Sequence, residues 1–294
     1  MEGSVKLKMK RTAVLFDELV FPNGKAKAFT LSYDDGTIHD RRMLDIVNKY
    51  GVRGTFNLNS GFLGVEDIKE GPLGTFDQSK ISAEEITSLY EGHEVAGHGL
   101  YHASPTDVGT SAFMYETIED KAALEKIIGK LVRGYAYPFG NFNDKAKDIL
   151  HYAGYHYART VEVTHNFALP HDFLAWNATC HHNDPQLMEL AEAFCKDDFM
   201  ARNKYLFYVW GHSYEFALDN SWNKIEELCK YMHEHGENIW FATNIEIYDY
   251  VTAYRNLEYS AEGNMIYNPS GTEVTIRRSG NTYTIPPLST VTVD

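Results

Sequence analysis

Asp34 and Asp35 are adjacent carboxylates in the run LSYDDG. Side by side at a strand end they repel unless something cationic lies between them. A divalent metal resolves the conflict: one carboxylate ligates and the other stays free as a base. His98 and His102, in GHGLYH, have the i, i+4 spacing by which two imidazoles on one face of a helical turn share an ion. An aspartate with two histidines leaves coordination positions open, the pattern of a catalytic site. The donor set suits Zn²⁺, with Co²⁺, Mn²⁺, Fe²⁺ or Ni²⁺ close behind. In YAYPFGN, Pro138 and Gly140 force a fixed turn that can aim a backbone N–H at a developing oxyanion. His212, in WGHS, titrates near neutrality and is a candidate general acid. The run from Cys180 to Asp184 (CHHND) is also rich in donors. Neighbours on an extended chain point to opposite sides, so it reads as a loop from which His181 or His182 lines a groove.

Apart from the Cys180–Asp184 run, each of these groups falls at the end of an apolar run that reads as a strand. Strands are expected at 25–33, 54–59, 94–97, 134–137, 155–160, 205–210 and 238–242. Helices are expected at 37–50, 82–90, 112–132, 144–153, 221–235 and 245–255. Ser82 with Glu85 reads as a capping box for the second helix. Strand–helix alternation implies a parallel sheet with helices outside. Over residues 25–256 the natural closure is an α/β fold, a (β/α) barrel, distorted and incomplete at seven strands. In such barrels chemistry sits at the C-terminal strand ends. Residues 1–24 read as a β lead-in. Residues 257–294, rich in Thr, Val and Ile with Asn-Pro-Ser-Gly and Ser-Gly-Asn turns, read as a β-hairpin appendage packed on the barrel.

The whole composition narrows the function. The chain has 294 residues, 44% of them apolar and 23% charged, an ordinary globular balance. The formal charge of −14 disfavours nucleic acid, and the short basic run Lys6–Arg11 reads as a solvated edge. It also opposes strongly anionic polysaccharides unless the groove differs from the average. No apolar stretch is long enough for a membrane span. Without an apolar leader segment, the expected location is cytoplasmic, or secreted if a signal peptide has been removed. Three cysteines offer no disulfide framework.

In order, LSYDDG, GHGLYH, YPFG, a tryptophan-bearing loop and a hydrophobic strand ending in His resemble the polysaccharide deacetylases, carbohydrate esterase family 4 with its NodB homology domain. The resemblance covers about residues 20–250. It implies metal-dependent removal of N- or O-acetyl groups from a carbohydrate. Asp34 then matches the base, Asp35, His98 and His102 the metal ligands, and His212 the acid. The Tyr137-Pro138-Phe139 turn matches the groove segment, with the oxyanion N–H from Phe139. Trp176 looks like the tryptophan under the acid, with Asp172 as its orienting carboxylate, and Trp210 and His181 join the substrate groove. The family's arginine two residues before the turn proline is here Ala136, and Arg159 is expected to replace it. Alternatives are a same-fold amidohydrolase acting on a small non-sugar amide or ureide, and a carbohydrate-binding protein that has lost activity.

Overall fold

The computed structural model describes residues 17–71, 74–196 and 205–294. The basic run Lys6–Arg11 and most of the expected lead-in lie outside them. The chain divides into two compact units, Lys25–Asp249 and a smaller one that joins Tyr250–Asp294 to the residues before Lys25. The first described strand, β1 (Glu18–Val20), belongs to the smaller unit.

The larger unit is a parallel barrel. Its strands are β2 (Lys27–Asp34), β3 (Gly54–Leu58), β6 (Glu94–Gly97), β7 (Gly134–Ala136), β8 (Tyr157–Val163), β9 (Trp176–Ala178), β10 (Cys180–His181), β11 (Leu206–His212) and β12 (Ile239–Phe241), with a separate antiparallel hairpin of β4 (Ile68–Gly71) and β5 (Gly74–Asp77). The sheet runs β10-β11-β2-β3-β6-β7-β8-β9. Every residue of β2 is buried, as expected for a strand covered on both faces. The two ends of the order are continuous in sequence. β9 pairs with β8, β10 pairs with β11, and between them the Thr179 N–H reaches the Tyr208 carbonyl at 2.8 Å. One ribbon that changes partner therefore completes the ring. β12 pairs only with the first residues of β2, Ile239 opposite Lys27 and Phe241 opposite Phe29. The site end of the barrel thus has the expected seven staves, β2, β3, β6, β7, β8, β9–β10 and β11.

Helices α1 (Asp40–Lys49), α2 (Ile86–Leu89), α3 (Thr110–Ile128), α4 (Asp144–Tyr152), α5 (Leu187–Cys195), α6 (Ser213–Leu218), α7 (Trp222–His235) and α8 (Asn244–Arg255) follow the strands. α1 shows why the pattern works: Met43, Leu44, Ile46 and Val47 fall on one face and are buried in the same core as Phe29, Leu31 and Phe56. The Ser82 capping box is not formed. The Ser82 N–H approaches Glu85 only at 3.4 Å, while Glu85 holds Arg41 at 2.9 and 3.0 Å, and the helix shrinks to one turn, α2.

The smaller unit holds β1 with β13 (Glu258–Tyr259), β14 (Met265–Asn268), β15 (Val274–Arg278), β16 (Asn281–Ile285) and β17 (Ser289–Thr292). These form two antiparallel three-stranded sheets, β1-β15-β16 and β13-β14-β17. A lone hairpin cannot bury its apolar face. Here Ile266, Val274, Ile276, Ile285 and Val293 share a core instead. Asp17 pairs with Arg278 at 2.6 and 2.8 Å.

Candidate active site

Strand register brings the first residues together. Asp34 lies opposite Asn57 of β3 on one side and His212 of β11 on the other. Its Oδ1 accepts from Asn57 Nδ2 at 2.8 Å, and its Oδ2 accepts from Arg159. β8, which carries Arg159, is not a neighbour of β2 in the sheet, so the guanidinium spans the barrel interior. It is fully buried, donates to the Thr160 carbonyl at 2.9 Å and stacks 4.4 Å from the Trp210 ring. Burial works against the Asp34 anion. Arg159, His98 and His212 outweigh it and hold the carboxyl at about 2.

Asp35 breaks the strand's alternation with a left-handed φ of 78°. Successive residues of a strand face opposite ways, so this conformation is what lets both carboxylates address one site. Asp35 Oδ1 lies 3.9 Å from His98 Nε2 and 3.9 Å from His102 Nε2. The histidine pair is not on a helical turn, contrary to the expectation from its spacing. It occupies an irregular loop after β6, where left-handed Gly99 (φ 79°) and His102 (φ 57°) fold the chain back until the rings are 4.6 Å apart. Buried polar side chains hold this loop. Asn59 Nδ2 donates to the His98 and Gly99 carbonyls at 2.6 and 2.8 Å, Asp120 accepts the His98 N–H at 3.1 Å, and Glu116 accepts the Tyr101 N–H at 2.7 Å.

These residues fit a metal. His98 Nδ1 sits 2.8 Å from the Ala136 carbonyl, which fixes the proton on Nδ1 and leaves a lone pair on Nε2. That Nε2 is buried without a hydrogen-bond partner, the state of a ligand atom. Burial pushes both imidazoles below the usual histidine range, His102 to about 4, so both are available as neutral donors.

His212 ends β11 with Nε2 3.9 Å from Asp34 Oδ2. Asp172, the expected orienting carboxylate, is elsewhere: it caps the turn before β9 through the Leu174 N–H and pairs with Lys147 at 2.5 Å. Glu215, three residues on along α6, lies 3.5 Å from His212 Nδ1 and accepts the His212 N–H at 3.3 Å. Burial alone would lower the His212 pKa, but Glu215, Asp34 and Asp35 raise it. Sequence reasoning missed Glu215, although a polar cap residue followed by Glu at the third helical position is a readable signal.

His181 and His182 also converge on Glu215, at 3.2 and 3.1 Å. The expectation that they diverge fails because β10 ends at His181 and His182 already sits in a turn. The Asn183 N–H donates to His181 Nδ1 at 3.1 Å, which places the His181 proton on Nε2, facing Glu215. The cluster therefore gathers around the Glu215 carboxylate, with His181 held at Nδ1 by the Asn183 N–H and its Nε2 turned to Glu215.

Phe139 lies in the turn after β7 with a left-handed φ of 59°, and its ring meets His102 edge-on at 4.5 Å. Gly140 is obligatory there, since a Cβ would lie 2.3 Å from Val161 at a φ of 73°. Tyr137, Pro138 and Trp176 were expected to touch substrate, yet all are buried. Tyr137 donates to the Leu174 carbonyl at 2.9 Å and stacks on Phe142. Trp176 packs among Tyr157, Phe173 and Tyr208 rather than under His212. Trp210 takes that place, 5.8 Å from the His212 ring. A cavity of about 440 Å³ opens on Asp35 and His102 and is walled by Asn59, Phe62, Val65, Glu66, Asp67, Lys69 and Lys80.

Residues 22–158 match the family model for polysaccharide deacetylase. A chitin deacetylase from a Pestalotiopsis species is 26% identical over 130 residues, 44% of this chain and 39% of the relative. The alignment thus spans well under half of that relative. A candidate polysaccharide deacetylase from Mycobacterium smegmatis shares the fold, with a TM-score of 0.56 at 16% identity, covering 81% of this chain and 94% of its own. A family 4 carbohydrate esterase from Streptomyces lividans, solved with acetate, aligns at a TM-score of 0.48 and 14% identity over 73% of this chain and 91% of its own. Asp34, Asp35, His98, His102 and Phe139 lie within the matched family segment. Arg159, His181, His212 and Glu215 lie beyond it and stand on geometry alone.

Proposed function

We propose, from the match of residues 22–158 to the polysaccharide deacetylase family model, that this protein is a metal-dependent hydrolase that removes acetyl groups from a carbohydrate. The observation that carries the reading is the convergence of Asp35, His98 and His102 beside the Asp34–His212 pair. Asp35, His98 and His102 hold the divalent ion, for which their nitrogen and oxygen donors favour Zn²⁺. A bound ion supplies Lewis acidity toward the acetyl carbonyl and the water that attacks it.

The rest is the work of the chain's own residues. Arg159 and Asn57 fix the Asp34 carboxylate and keep it ionised, so that its remaining lone pairs accept a proton from water. Glu215 keeps a proton on His212, which His212 gives to the departing sugar oxygen or nitrogen. A base that is ionised and an acid that is protonated in the resting enzyme produce a bell-shaped rate profile. The Phe139 N–H, on a turn fixed by Pro138 and Gly140, faces the developing oxyanion. The exposed Phe139 ring and the Phe62 wall offer apolar surface to a sugar ring.

The test is acetate release from acetylated chitooligosaccharides, acetylated xylooligosaccharides and acetylated monosaccharides, with Zn²⁺ or Co²⁺ supplied. Release from at least one sugar class is expected. No release from any of them by protein that holds stoichiometric metal would overturn the reading in favour of a non-sugar amide.

A further inference from the structure

The wall of the cavity beside Asp35 contains a cation fixed in place. Lys80 lies on a segment zipped to the turn that follows Asp35. The Ile38 N–H donates to the Ser79 carbonyl at 2.9 Å, the Ile81 N–H to the Gly36 carbonyl at 3.0 Å, and the Lys80 N–H to the Val65 carbonyl at 2.9 Å. The Lys80 backbone is thus anchored on both sides of the residue. The side chain is half-buried and lines the same cavity as His102. Among the described residues its ammonium has no ion pair, whereas neighbouring Lys69 is paired with Asp67 at 2.7 Å. Its charge is felt at both His102 and Asp40. A cation beside a metal site weakens cation binding, so its position calls for a compensating anion. The acidic groups on the wall are otherwise committed: Asp35 belongs to the metal set with His98 and His102, Asp67 is taken by Lys69, and Glu66 is exposed to water. Phe62 and Val65 give the cavity an apolar face, and its volume of about 440 Å³ admits a sugar unit beside the reacting one.

We propose that Lys80 receives a carboxylate on a sugar of the substrate, so that the preferred substrate is an acetylated glycan that also carries uronic-type carboxylates. This rests on the deacetylase reading and narrows it.

The test compares O-acetylated oligogalacturonides with O-acetylated xylooligosaccharides for the wild type, Lys80→Met and Lys80→Arg. A charge-assisted contact predicts that Lys80→Met loses about tenfold in kcat/KM on the galacturonides, through KM, and less than about twofold on the xylosides. Lys80→Arg retains the preference. Equal losses on both substrates, or no preference in the wild type, would overturn the proposal. Calorimetric binding of unacetylated trigalacturonate and xylotriose to chelator-treated protein gives a readout independent of turnover. Trigalacturonate should bind the more tightly, and Lys80→Met should remove the difference. If the wild type releases acetate from neither substrate, the deacetylase reading fails, and the calorimetry still decides the role of Lys80.

Discussion

Replacing Arg159 with methionine removes the cation of a buried ion pair while keeping most of its side-chain volume. The Arg159 and Asp34 side chains are 0% and 3% exposed. The protein supplies its own comparison for an unpaired buried carboxyl. Asp40 and Glu94, whose hydrogen bonds come from neutral groups, are pushed by burial to about 7, whereas Asp34 sits at about 2. Without Arg159, Asp34 loses its main counter-charge. Removing one partner of such a pair costs about 3–5 kcal/mol. For a unit the size of Lys25–Asp249, that lowers the thermal midpoint by roughly 6–20 °C. The assay is thermal and urea unfolding in chelator, with Asp34→Asn and the double variant completing a cycle. The double variant should recover stability by a coupling of about 2 kcal/mol. Turnover of Arg159→Met should fall about 100-fold while metal affinity is kept. A destabilisation under about 0.5 kcal/mol, typical of a surface change, or strict additivity in the cycle, would refute the argument.

Asp35→Asn replaces a charged ligand, so metal affinity measured by competitive chelation should fall by more than the 10- to 100-fold typical of an outer-shell change. Glu215→Gln removes the charge that sustains the His212 proton. The basic limb of the kcat/KM profile should move to lower pH, with metal stoichiometry unchanged and Glu215→Asp restoring part of the shift; an unmoved limb would exclude Glu215 from this role. Asp40 has a folded pKa raised by burial to about 7, so its stabilising contribution is complete below the unfolded value near 4 and is lost as pH rises through 7. In urea titrations Asp40→Asn should therefore gain on the wild type across that range, by on the order of 4 kcal/mol; a difference independent of pH would contradict the burial argument.

Much of the barrel was legible because strand and helix patterns alternate cleanly in KAFTLSYD and DRRMLDIVNK. Asp34, Asp35, His98, His102 and His212 converge because each stands at the C-terminal end of such a strand. What spacing misjudged was local backbone. The i, i+4 interval of His98 and His102 was taken for a helical turn, but left-handed Gly99 and His102 produce the approach in a loop. The divergence expected of His181 and His182 held only for an unbroken strand. The resemblance misled at Tyr137 and Trp176, which are buried in the core. Long-range partners left little local trace: Glu116 and Asp120 sit on the buried face of α3 because the 98–102 loop needs hydrogen-bond acceptors, which an apolar-periodicity reading cannot see.

The central claim is best tested by stripping the protein with a chelator and returning Zn²⁺ in steps while measuring acetate release from its best acetylated oligosaccharide, with Asp34→Asn in parallel. Release should vanish on stripping and return with the first equivalent of ion. Asp34→Asn should bind that ion as well as the wild type and release no acetate. Undiminished release from metal-free protein, or full activity of Asp34→Asn, would contradict it.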